Sequence, residues 1–202
     1  MKTNDKTKRI AILGVLLAII IVQTQTPFLG FIPLGITTVT IIHITVIVAA
    51  IVLGPVDGMV VGLFWGILTM IRAWTNPTSP IDPIIFTNPV VAVLPRVLVG
   101  LVAGVSYQWL VKWTKKINLA SIIAALLGTA TNTILVVSLE YWLYTSTMVK
   151  LYHVSGTALV KALSAVMVTS GGMEALVAAI LTPLIVRALF IVLKPKQSVK
   201  IK

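Results

Sequence analysis

The sequence predicts an all-α membrane protein: a six-transmembrane-helix bundle forming a single integral membrane domain over residues 1–202. Three observations predict it. From Ile10 to Val56 there is no Asp, Glu, Lys or Arg. A helical span needs about 20 apolar residues, so a run of this length holds two spans and the turn between them. Apolar residues make up 58% of the chain and charged residues 10%, with a mean hydropathy of +1.06. Those values exclude disordered, fibrous and ordinary globular classes. Finally, 202 residues suffice for about six tilted spans with short loops and leave no segment for a separate soluble domain.

Turn chemistry and charge divide the chain. Met1 to Arg9 followed by an apolar run resembles a signal peptide, but no small-x-small cleavage site follows, so it reads as an uncleaved first span. Span 1 runs from Ile10 to Gln25 and ends before Pro27, after which Gly30, Pro33 and Gly35 break regularity. Span 2 runs from Thr37 to Leu53 and is stopped by Gly54-Pro55. Span 3 covers Asp57 to Trp74. The stretch Thr75 to Pro89 carries Pro77, Pro80, Pro83 and Pro89, the composition of a long ordered binding loop or lid. Span 4 runs from Val90 to Trp113 and is closed by Lys112, Lys115 and Lys116. Span 5 covers Leu119 to Tyr144. Span 6 lies within Ala158 to Leu193, with Ser170-Gly171-Gly172 as a candidate interruption and Pro183 as a candidate kink.

Lys and Arg in short loops orient such a bundle. The N-terminus carries Lys2, Lys6, Lys8 and Arg9, the loop after span 4 its three lysines, and the C-terminus Lys194, Lys196, Lys200 and Lys202. With an even number of spans, both termini are expected on the cytoplasmic side of the plasma membrane. The proline-rich loop is then external, an arrangement suited to catching an outside solute. The net charge of +11 does not point to nucleic acid, because the cations sit at span ends rather than on one basic face. With no Cys in the chain, disulfides, thiolate metal sites and Cys nucleophiles are excluded.

Charges inside spans are the first site candidates, since the bilayer penalises each by about 2.5–3.5 kcal/mol on insertion scales. Arg96 interrupts the apolar run VVAVLPRVLVG near the external end of span 4. Its fork suits a carboxylate, and the competing reading is an arginine that snorkels to the headgroups. Glu174, within TSGGMEALVAAIL, is placed to accept from substrate hydroxyls or to pair with a basic residue such as Arg96. Glu140 and Arg72 lie nearer span ends and read as interfacial. His43 reads either as a substrate contact or as a neutral packing residue. Asn88, where the proline-rich loop meets span 4, and Asn132, in the middle of span 5, are amides able both to donate and to accept. Trp65 is deep in span 3, whereas Trp74 reads as an aromatic-belt residue.

Gly58, Gly62 and Gly66 recur every fourth residue on span 3, Gly100 and Gly104 on span 4, and Gly14 with Ala18 on span 1. Such stripes let helix backbones approach closely. No Walker A, HExxH or GxSxG pattern occurs, and the histidines are too few for a multi-His metal site. No metal, no cofactor and no catalytic residue is expected.

The block TIIHITVIVAAIVLGPVDGMVVGLFWGI, the proline-rich loop and then LPRVLVG together resemble the substrate-binding S components of energy-coupling factor (ECF) vitamin transporters. The resemblance is strongest to the pantothenate-specific branch and sharpest from Thr40 to Gly100. It implies a six-helix bundle that binds its vitamin near the external face beneath the loops after spans 1 and 3. It also implies association with a membrane T component and two cytosolic ATPase subunits, which supply ATP hydrolysis. Small residues on the first helix contact the T component in that family. Here Ala11, Gly14 and Ala18 are the nearest matches, with Gly-x-x-x-Ala in place of Ala-x-x-x-Ala. Pantothenate is an anion with hydroxyls and an amide. The expected site assigns Arg96 to its carboxylate, Asn88, Asn132, His43 and Glu174 to its polar groups, and Trp65 to its carbon skeleton. Riboflavin, pyridoxine or a pyrimidine precursor are the alternative substrates. A small intramembrane enzyme is the alternative from another class, and five scattered acidic residues offer it little; a channel or scaffold is the third.

Overall fold

The computed structural model describes residues 2–26, 29–34, 37–77 and 80–193, and the side chains of all of these except 2–5 and 31–39. The elements are α1 (Lys2–Gln25), β1 (Phe31–Leu34), β2 (Thr37–Thr40), α2 (Ile42–Val52), α3 (Pro55–Thr75), α4 (Asp82–Ile85), α5 (Pro89–Ala92), α6 (Leu94–Thr114), α7 (Ile117–Tyr152) and α8 (Gly156–Leu193). Pro27, Gly35 and the terminal Lys194, Lys196, Lys200 and Lys202 lie outside the described residues.

Among the described residues, five segments are long and apolar enough to cross a membrane: Lys6–Gln25, Pro55–Thr75, Pro89–Thr114, Ile117–Tyr152 and Gly156–Leu193. Two expectations change here. The chain is not purely helical, because β1 and β2 form an antiparallel hairpin with Phe31 opposite Thr40 and Leu34 opposite Thr37. Its β-branched TTVT arm was expected to begin span 2, but β-branched residues favour extended backbone. The helix that remains, α2, has 11 residues. It is about 16 Å long, short of the roughly 30 Å hydrocarbon core.

What α2 lacks in length it makes up in burial. Every residue from Ile42 to Ile51 is buried, and Ile42, Val46, Ile47 and Ala49 are at 0% exposure. The other helices wrap around it, contributing Ile20, Val61, Trp65, Val99, Ala103, Ala124 and Ala178 to one core. The outward faces of those helices carry apolar side chains such as Ile19, Leu63, Ile67 and Leu184, as lipid contact requires.

Gly54, at φ 112, takes a backbone conformation that costs glycine little, and Pro55 then opens α3 at its first position. The α3 stripe packs antiparallel against α6. A Cβ at Gly66 would meet Val93, one at Gly62 the Arg96 backbone, one at Gly100 the Gly58 backbone, and one at Gly104 the Pro55 backbone. These contacts set the register that brings Arg96 level with Trp65.

α8 continues without interruption through Ser170-Gly171-Gly172 and Pro183. Gly171 serves packing instead, lying against the Thr133 side chain of α7. At about 54 and 57 Å, α7 and α8, of 36 and 38 residues, outrun the hydrocarbon core. Their tips, through Met148 and Leu159, pack with Ile81, Ile85 and Val91 of the proline-rich segment in a second core. One end of the bundle thus holds the hairpin, α4, α5 and the α7–α8 turn. The other holds the starts of α1, α3 and α7 and the lysines Lys112, Lys115 and Lys116.

Candidate functional site

A cavity of about 250 Å³ opens between α3, α6, α7 and α8 beneath the hairpin end. α3 contributes Trp65, Thr69, Arg72 and Ala73, and α6 contributes Arg96. From α7 come Asn132, Thr133, Val136, Val137 and Glu140; from α8, Val166, Ser170, Gly171 and Glu174. Each set recurs at three- and four-residue intervals, the spacing that puts side chains on one helix face. Thr40 at the end of β2, Asp82 and Phe86 complete the lining from above.

Arg96 is the central cation. It is 6% exposed, so it does not snorkel to the headgroups. Its guanidinium lies 5.0 Å from the Trp65 ring centroid and 5.5 Å from that of Phe86. Nη1 donates to the Val91 carbonyl at 2.7 Å. That carbonyl is free because the α5–α6 junction at Val93 breaks the helix, and Pro95 has no N–H to offer. Nε is buried with no protein acceptor among the described residues. No carboxylate there lies within ion-pairing distance of Arg96, although Glu140 and Glu174 both act on it through space. A buried guanidinium without a direct counter-ion is costly unless an anion completes it.

Two further buried polar atoms in the lining lack a protein partner among the described residues: Trp65 Nε1, a donor, and Asn132 Oδ1, an acceptor. Glu174, 7% exposed, is better supplied. Its Oε1 accepts the Thr40 backbone N–H at 2.8 Å, and its Oε2 accepts from Thr133 Oγ1 at 3.4 Å. The site therefore offers a buried cation in Arg96 with a second, Arg72, at the mouth, two orphaned donors and one orphaned acceptor among the described residues, and the Trp65 ring. It suits a small anion with hydroxyl and amide groups.

Of the six residues expected at the site, Arg96, Asn132, Trp65 and Glu174 converge on the cavity and two do not. Asn88 caps α5, its Oδ1 accepting from the Val90 N–H at 2.9 Å, and its Nδ2 donates to the Tyr144 hydroxyl at 3.1 Å. It joins the proline-rich segment to α7. His43 is wholly buried on α2, outside the lining. Glu174 and Arg96 share the cavity but are not paired. Arg72 and Glu140, read as interfacial from their places near span ends, both line the cavity, because α7 outruns the core and α3 ends at the mouth. Thr40, Asp82, Phe86 and Ser170 were not expected at the site. Only the helical interval from Asn132 to Glu140 and from Ser170 to Glu174 was there to signal part of this set.

On α1, Ala11, Gly14 and Ala18 face outward, and a Cβ at Gly14 would meet nothing within 4 Å. Among the described residues no group of three His, Cys, Asp or Glu is arranged to hold a metal.

The family model "ECF transporter, substrate-specific component" matches residues 8–186. A pantothenate transporter PanT from Leuconostoc mesenteroides is 44% identical over 120 residues, 57% of either chain. A pantothenic acid transporter PanT from Lactococcus lactis subsp. cremoris is 32% identical over 200 residues, which covers 92% of this chain and 95% of that one. The chain is a multi-pass membrane protein and a transporter component, and it belongs to the family of ECF transporter substrate-specific components.

Proposed function

We propose that this chain is the pantothenate-binding subunit of an ECF-type vitamin uptake system. The observation that carries the reading is Arg96: a guanidinium buried at the cavity wall, held by Trp65, Phe86 and the Val91 carbonyl, with Nε unpartnered among the described residues. It meets the vitamin's carboxylate. Asn132 and Glu174 take the hydroxyls and amide, and Trp65 lies under the carbon skeleton. Asn88 and His43 act at one remove, by fixing the loop and packing α2. The two PanT relatives support pantothenate as the substrate.

In this reading α2 and the hairpin together make the sixth crossing of a six-span bundle. The hairpin end faces outward. Exposed Trp74 and Trp142 mark that interface, and Trp109 and Trp113, with the lysines after α6, mark the cytoplasmic one. Both termini are then cytoplasmic. The outward face of Ala11, Gly14 and Ala18 docks a membrane T component, and two cytosolic ATPase subunits supply the energy, consistent with a chain that carries no Walker A motif.

Isothermal titration of the purified chain with pantothenate, and with riboflavin as control, tests the reading. Saturable binding of pantothenate alone supports it. A folded chain that binds riboflavin, or neither ligand, overturns it.

A further inference from the structure

The charge inventory of the cavity is lopsided. Two guanidinium groups, Arg72 and Arg96, face three carboxylates, Asp82, Glu140 and Glu174. The three acids are not equivalent. Glu174 already accepts hydrogen bonds on both oxygens. Asp82 has interactions of its own and shares the cavity mouth with Arg72, on which its charge acts. Glu140 accepts no hydrogen bond and makes no ion pair among the described residues, although it lies in the fields of Arg96 and Asp82. It stands two helical turns above Asn132 on the same face of α7, about 12 Å along the axis. A ligand lying along that face meets the orphaned amide oxygen of Asn132 at one level and a carboxylate with free lone pairs at the other.

We propose that Glu140 is a specificity-determining residue that accepts a hydroxyl of the ligand and rejects any ligand bearing a second negative charge. The proposal rests on the pantothenate reading above. One carboxylate on the ligand is met by Arg96. A second anionic group, such as a phosphoester in place of the primary hydroxyl, finds no uncommitted cation and faces Glu140. In a cavity with an effective dielectric constant of about 20, like charges a few ångströms apart suppress binding by at least about tenfold. A free hydroxyl instead donates to the carboxylate, a charge-assisted bond that favours the unmodified vitamin. The site thereby accepts the unmodified vitamin and refuses a phosphorylated form of it.

The test is equilibrium binding of pantothenate and of pantothenate phosphorylated on its primary hydroxyl to wild type, Glu140→Gln and Glu140→Asp. Wild type is expected to prefer pantothenate at least about tenfold. Glu140→Gln should lower that ratio about tenfold or more, mainly by admitting the phosphoester, while Glu140→Asp, which keeps the charge, should retain most of it. Equal affinity of wild type for the two ligands, a result needing no variant, overturns the role of Glu140 while leaving the pantothenate reading standing. An unchanged ratio in a folded Glu140→Gln does the same. Failure of wild type to bind pantothenate overturns both and is distinguished by the absence of any saturable signal.

Discussion

The guanidinium of Arg96 lies over the indole of Trp65 at 5.0 Å, and the two residues sit level because Gly62 of α3 packs on the Arg96 backbone of α6. In the proposed reading, anion binding depends on a glycine stripe as much as on a charge. Arg96→Ala and Arg96→Gln should weaken pantothenate binding by about 10- to 100-fold, the loss of a desolvated charge-assisted contact worth about 1.5–3 kcal/mol. Lysine at this position should restore only part, since it lacks the planar fork and the stacking. Titration calorimetry decides this, and unchanged affinity in both variants would remove Arg96 from the site.

Trp65 contributes a ring face to Arg96 and, among the described residues, an unpartnered N–H in the cavity lining. Trp65→Phe keeps a ring and loses the donor, so affinity should fall about 3- to 10-fold. Trp65→Leu loses both and should fall further. Equal affinities for the two variants would assign the effect to volume alone.

Gly62→Ala should destabilise the bundle by about 1–3 kcal/mol, because its Cβ overlaps the Arg96 backbone and must push two helices apart. Gly14→Ala, with nothing within 4 Å, should leave thermal stability and ligand binding unchanged. A bulkier Gly14→Leu should spare binding by the isolated chain yet abolish uptake in cells carrying the partner subunits. Paired melting and uptake assays separate the two stripes; a Gly14→Leu chain that transports normally would free α1 of its docking role.

Glu174 links cavity and hairpin through the Thr40 N–H. Glu174→Gln turns a charged acceptor into a neutral one and should weaken ligand affinity about 3- to 10-fold. Hydrogen exchange at Thr40 and along β2 should accelerate as well. If exchange in the hairpin stayed as slow as in wild type, Glu174 would not be its anchor.

At the opposite end, Arg9 grips Asp57 with two hydrogen bonds, Nε to Oδ2 at 2.6 Å and Nη2 to Oδ1 at 2.7 Å. The Asp57 side chain is 6% exposed and sits in the first turn of α3, where a carboxylate also meets the helix dipole. Asp57→Asn should lower the melting temperature without altering ligand affinity, since the pair lies far from the cavity. A matching fall in affinity would show that α1 and α3 transmit strain to the site.

Arg96, Asn132, Trp65 and Glu174 were visible in the sequence because a polar group in an apolar span stands out whatever surrounds it: lipid forbids such a group without a purpose. Arg72 and Glu140 were not, because near a span end a charge is unremarkable and only the neighbouring helices reveal whether it faces water or a cavity. His43 shows the converse. It read either as a substrate contact or as a neutral packing residue, and α2 is so thoroughly enclosed that its position in a span says nothing about which wall it joins. The hairpin was hidden because a β-branched run beside an apolar helix reads equally well as the helix's first turn.

What the sequence by itself determined was the solvent. Long charge-free runs, cations at span ends and glycines every fourth residue establish a membrane-embedded helical bundle with close helix contacts, since hydrocarbon leaves the backbone little other choice. What only the tertiary structure decided was convergence. The antiparallel register of α3 on α6, the overlong α7 and α8, and the hairpin tied to Glu174 bring groups from six segments of chain to one cavity. Such meetings depend on helix rotation and register, which are set by packing between elements distant in sequence; a local stripe marks a contact face but not the partner it meets.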